Sequence, residues 1–112
     1  LYAVEQMVKD QKMERSAGKT VAGGEFVPSE IDSVWAKAAP VPLLASFAVD
    51  ICGATIEKSK YGQLVPTGWE IDHVYPVAKG GTDSLSNLQP MQWENNRAKG
   101  DSISNWKCVR KS

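Results

Sequence analysis

Residues 68–100 read GWEIDHVYPVAKGGTDSLSNLQPMQWENNRAKG. The stretch holds the chain's only histidine, His73, directly after Asp72. Asn87 and Asn96 follow at spacings of fourteen and nine residues. Trp69 to Tyr75 alternates in a way that predicts a strand, with Trp69, Ile71 and His73 on one face and Glu70, Asp72 and Val74 on the other. Pro76 ends it. Residues 78–87 read as a loop built on Gly80-Gly81. Pro90 fits the first turn of a helix, where its missing N–H costs nothing, and that helix is expected to run to Lys99 and stop at Gly100.

These residue types in this order suit phosphodiester hydrolysis. The reaction needs an activated water, neutralisation of charge developing on the phosphate, and help for the leaving oxygen. A histidine is a suitable general base near neutral pH. Carboxylate and amide oxygens suit a hard divalent cation, and Asp72 and Asn96 offer them from the strand and the helix. Arg97 and Lys99 near the helix end can meet phosphates. Lys79, in the loop, could face DNA or water. Each residue also has a plainer reading: a structural histidine, a turn asparagine, a solvated basic face. The combination at these spacings favours the site.

The stretch resembles the HNH endonuclease motif. Asp72-His73, Pro76, Gly80-Gly81, Asn87-Leu88-Gln89-Pro90, Asn96 and Lys99-Gly100 carry the resemblance, as an Asp-His-Asn-Asn variant. It implies an α+β fold with a ββα-metal (HNH/His-Me finger) core and additional N-terminal helices. It further implies His73 as general base, Asp72 and Asn96 as metal ligands, and Asn87 as the residue that fixes the loop and helps orient the histidine. The implied cofactor is one divalent cation, Mg2+ or Mn2+, and the implied partner is DNA. The similarity runs more loosely upstream through Trp35, Asp50, Cys52-Gly53, Ile56 and Tyr61-Gly62, and does not cover residues 1–27. Many such proteins carry paired Cys-x-x-Cys knuckles on a structural zinc. Here Cys52 stands at a knuckle-like position, but Val49, Gln92 and Asn95 occupy the others. No structural zinc is therefore expected, and packing around Trp69, Trp93 and Leu88 must hold the motif. With no second histidine, magnesium or manganese is favoured over zinc at the catalytic site.

Outward from this core, residues 1–27 read as an N-terminal helix (Tyr2 to Arg15) and a flexible linker, and residues 28–112 as the nuclease domain, with its core motif at 69–100. Gly18-Lys19-Thr20 echoes a phosphate-binding loop, but Met13 stands where that motif needs its first glycine. Pro28-Ser29 opens a helix with Ser29 as N-cap, ended by Ala38-Ala39-Pro40. Residues 41–47, broken by Pro42, read as a packed connector with one helical turn. Residues 49–52 and 54–57 read as short strands about Gly53. Residues 102–106 read as a short helix and 107–112 as a frayed basic tail.

The chain has 112 residues, 42% of them hydrophobic, enough for one small core. Thirteen basic residues balance thirteen acidic ones. Residues 1–57 carry five Lys/Arg and eight Asp/Glu, residues 58–112 eight and five, so the half with the candidate site is the basic half. A neutral chain lacks a large basic surface for tight DNA binding. That leaves room for a protein partner or parent chain that supplies specificity, and for a toxin, a larger phage or mobile-element protein, or a non-cleaving DNA-binding module. No apolar run approaches the ~20 residues that span a membrane, and no secretory pattern is visible, so a cytoplasmic protein is expected. Cys52 and Cys108 could pair on counting alone, but with nothing else indicating secretion the reading weighs against a bridge.

Overall fold

The computed structural model describes residues 16–112, so the helix expected over residues 2–15 lies outside the described residues. The fold is mixed α+β. Helix α1 spans Pro28–Trp35. Strands β1 (Ala39–Val41), β2 (Leu44–Val49) and β3 (Thr55–Glu57) form an antiparallel sheet in that order. Strands β4 (Trp69–His73) and β5 (Leu88–Gln92) form a second, antiparallel pair. Helix α2 spans Trp93–Lys99 and follows β5 directly.

β4 lies where its alternation predicts, and all five of its residues are buried. Trp69 meets Trp35 and Tyr61 with ring centroids 5.3 and 4.9 Å apart. Val34, Ile56, Ile71 and Leu88 complete the same core. Each fully buried side chain of this size contributes about 1.5–3 kcal/mol. Trp93, grouped with Trp69 and Leu88 in the sequence reading, is only half-buried, and its indole N–H donates to the Val65 carbonyl at 2.9 Å.

Pro90 does not start a helix. It sits mid-strand in β5, paired with Ile71. Val74 N donates to Asn87 O and Trp93 N to Gly68 O. Alternation from those two bonds puts Ile71 and Pro90 opposite each other at a non-hydrogen-bonded position, so the missing N–H costs no ladder bond. The helix begins three residues later, where the Gln92 side chain caps it by accepting from Glu94 N and Asn95 N.

Residues 41–47 form no helical turn. β1 and β2 are joined by a tight turn at Pro42 and Leu43, and Leu43 has φ 66°. β1 is an edge strand, the place in a sheet that accepts Pro40. Helix α1 starts two residues earlier than Ser29 as N-cap predicts. Pro28 is its first residue, Val27 precedes it, and Glu30 Oε1 accepts from Val27 N.

Asp50 ties the two sheets together. Its Oδ1 accepts from Cys52 N and Ala54 N, both at 2.9 Å, which shapes the turn between β2 and β3. Its Oδ2 accepts from Gln92 N at 3.0 Å and Asn95 Nδ2 at 3.1 Å, which fixes the junction of β5 and α2. Three positions that read as knuckle remnants, Cys52, Gln92 and Asn95, thus meet around a carboxylate.

The tail also departs from expectation. Residues 102–106 form bends rather than a helix. Cys108 is bonded to Cys52, correcting the reading that weighed against a bridge. Asn95 Oδ1 accepts from Val109 N and Arg110 N, its Nδ2 donates to Arg110 O, and Arg110 pairs with Glu94. The tail is therefore docked on α2, not frayed.

The bridge closes a sequence separation of 56 residues. Chain entropy assigns such a link about 4 kcal/mol. Urea unfolding of oxidised and reduced protein should show the reduced form less stable by about 2–4 kcal/mol. Coincident midpoints would contradict a bonded pair in the native state.

Candidate active site

β4 presents alternate side chains to opposite sides. Glu70 and Asp72 meet α2: Asn96 Nδ2 donates to Glu70 Oε1 at 2.9 Å, and Lys99 Nζ to Asp72 Oδ1 at 3.2 Å. His73 ends the strand, with Phe26 beside its ring at 6.1 Å between centroids. Asp72, His73 and Asn96 line one cavity of about 220 Å3, together with Arg97, Gly18 and Asp101.

The loop after β4 is fixed by backbone geometry. A Cβ at Gly81 would lie 1.7 Å from the Tyr75 carbonyl oxygen, so only glycine fits there. Gly80 has φ 98°. Asn87 closes the loop: Oδ1 accepts from Tyr75 N, while Nδ2 donates to Tyr75 O and Thr82 O. Its side chain forms no hydrogen bond to His73 among the described residues.

The group that does hold His73 is Asp83, with Oδ1 2.8 Å from Nε2. Sequence reading missed it. The available signal was an acid two residues past a Gly-Gly turn, in a loop that must fold back on the strand. Gln89 was also missed. It faces Asp72 across the strand pair and donates from Nε2 to Oδ2 at 2.8 Å.

The basic candidates separate. Arg97 is exposed, pairs with Glu70 Oε2 at 2.9 Å and lies over the Trp93 ring. Lys79 is exposed, and its ammonium donates to the Asp101 carbonyl. Lys99 differs from the sequence reading, which puts it on a phosphate-contacting surface. It is 3% exposed, and its ammonium sits on Asp72 and on the His73 carbonyl at 2.9 Å. Only one turn of α2 separates it from Asn96, so a side chain on that face points at β4, not at solvent.

Burial is the largest influence on Asp72 and holds its carboxyl above the ordinary carboxylate range; Gln89, Lys99 and His73 pull it the other way. Its folded pKa therefore exceeds the unfolded one. The ionised form costs stability at higher pH, and that cost fades as pH falls through the folded value. A bound cation would offset it. Asn96 Nδ2 is committed to Glu70, while Oδ1 forms no hydrogen bond to the described residues. Among the described residues no fully buried side-chain nitrogen or oxygen lacks a partner, so Oδ1 is open to solvent. Asp72 and Asn96 thus offer oxygens of the kind a hard divalent ion takes, with Lys99 on one Asp72 oxygen and Gln89 on the other. No cluster of three His, Cys, Asp or Glu side chains suited to a metal occurs among the described residues.

Residues 52–105 match a family model described as HNH endonuclease. Comparisons with curated proteins and with solved structures return no match.

Removing the ammonium in Lys99→Met leaves Asp72 buried and uncompensated. At neutral pH this variant should lose about 3–5 kcal/mol of stability. The loss should shrink in acid, because protonating Asp72 removes the unpaired charge. Urea midpoints at both pH values check this, and an equal loss at each would contradict the pairing.

Proposed function

Because residues 52–105 belong to the HNH endonuclease family, we propose that the chain is a metal-dependent DNA endonuclease whose ββα-metal core is β4, β5 and α2. The observation that carries this reading is the convergence of Asp72, His73 and Asn96 on one cavity. In this reading His73 is the general base and takes the proton of the attacking water. Asp72 and Asn96 would hold one Mg2+ or Mn2+, which supplies charge neutralisation on the phosphate and help for the leaving oxygen. Asn87 holds the loop that closes over the base. Arg97 and Lys79, both exposed, are the phosphate contacts, and Lys99 serves inside the site.

Among the described residues no helix is long and apolar enough to cross a membrane. The Cys52–Cys108 bridge favours an oxidising compartment over the cytoplasm expected from sequence, since cytosolic thiol pools keep such pairs reduced. A secreted or toxin-like nuclease, or the nuclease part of a longer protein, accommodates both the bridge and the neutral charge. One observation favours a second reading. The Lys99 ammonium already sits on an Asp72 oxygen, as it would in a DNA-binding module that has exchanged its metal for a lysine.

Supercoiled plasmid separates the two. The nuclease should nick or cut it with Mg2+ or Mn2+ and stop with EDTA, whereas the binding module would only retard it. His73→Ala should lose roughly 10²–10⁴-fold in rate while calorimetry still detects Mn2+ binding. Full activity in that variant would sink the proposed mechanism.

A further inference from the structure

We propose that Asp83 is the positioning residue of the site: its carboxylate holds His73 in one tautomer, with the proton on Nε2 and the Nδ1 lone pair free. This rests on the reading of His73 as the general base.

Three observations converge on it. First, Asp83 Oδ1 lies 2.8 Å from His73 Nε2, and a carboxylate only accepts, so neutral His73 must donate there from Nε2–H. Second, Nδ1 forms no hydrogen bond to the described residues. Among the described residues no fully buried side-chain nitrogen or oxygen lacks a partner, so Nδ1 reaches solvent. The nitrogen left with the lone pair is therefore the one that water can meet. Third, Asp83 is itself anchored. Val21 N donates to both of its oxygens, at 3.0 and 3.2 Å, and Asn87 Nδ2 pins the neighbouring Thr82 carbonyl at 2.9 Å. Asp83 is 35% exposed in its side chain against 4% for His73, so it meets water while holding a buried ring.

The arrangement has the logic of an oriented base. The carboxylate fixes ring and tautomer, and it stabilises the imidazolium formed when the water proton arrives at Nδ1. A histidine free to choose its tautomer would spend part of its time with the proton on Nδ1, where it cannot accept one.

The single histidine makes the test direct, because every imidazole signal of the chain comes from His73. Protein labelled with 15N-histidine is recorded at pH ~8.5, above the ordinary histidine range. The expected spectrum is one Nε2–H tautomer with a slowly exchanging Nε2 proton. Asp83→Ala should lose the protected proton, mix the tautomers and lower kcat on the order of 10²-fold with KM for DNA little changed. Asp83→Asn keeps an acceptor oxygen without the charge and should fall between. An Nδ1–H tautomer in the wild type overturns the proposal even if the variants fail to fold. So does an Asp83→Ala enzyme with wild-type kcat. Full activity in His73→Ala would instead remove the base assignment, and the wild-type tautomer would still report on Asp83.

Discussion

The carboxylate of Asp50 is the constraint on which the rest of this structure depends. It is buried and accepts four N–H groups, two from the β2–β3 turn and two from the start of α2. Few side chains other than a carboxylate offer enough acceptor sites for that. Without it, donors on both elements would be left unpaired in the interior, at about 1–3 kcal/mol each. The bond to Gln92 N is also geometrically forced. At β5's non-hydrogen-bonded positions the N–H groups point away from β4 and need a partner outside the pair. Asp50 gives one at Gln92, the residue whose side chain then caps α2. Strand, cap and helix are thereby placed relative to the first sheet by one group.

The fold's local features were legible and its long-range bonds were not. β4 could be read because alternation is a local signal, although both of its faces are buried. The Gly-Gly loop was legible because close backbone approach at Gly81 admits no side chain. Pro90 misled because proline's commonest local meanings are helix start and chain break. Its acceptance mid-strand depends on the register of β4, which no local window contains. Pro40 and Pro42 misled for the same reason, since edge position and hairpin turn follow from pairing. Asn95 and Asn96 show the limit most clearly. They are adjacent and chemically identical, yet Asn95 binds Asp50 and the tail, while Asn96 faces Glu70 and the cavity. Spacing chose between them without the tail or Asp50 in view.

The tail and the bridge were missed together. A basic, polar terminal stretch has no apolar pattern to announce docking. Its attachment comes from one side-chain amide, which satisfies two backbone N–H groups and one carbonyl, and from one sulfur pair. Counting allowed the pair, but only folding brings Cys52 and Cys108 within 5.7 Å between Cα atoms. In a domain this small the hydrophobic core is limited, and covalent and polar ties carry a larger share of the order.

The same division of labour explains the acids of the basic half. Glu70 is neutralised from outside by Arg97 and orients Asn96 inside. Asp72 is held by Gln89 across the strands and by Lys99 from the helix. Asp83 bonds to His73 and to Val21 N, and forms no hydrogen bond with either of those groups among the described residues. Three carboxylates around one short strand would repel if they shared a single pocket. Alternation along β4 sends two toward α2, each with its own cation, and leaves the loop acid to the histidine. A neutral net charge is then no obstacle to a charged site, because opposite charges are matched residue by residue within the fold. Among the described residues of the basic half, Lys58, Lys79, Arg97, Lys107 and Lys111 are exposed, and of these Arg97 lines the cavity. A chain of zero net charge holds a polyanion weakly by itself, so any tight or selective binding must draw on where those side chains stand.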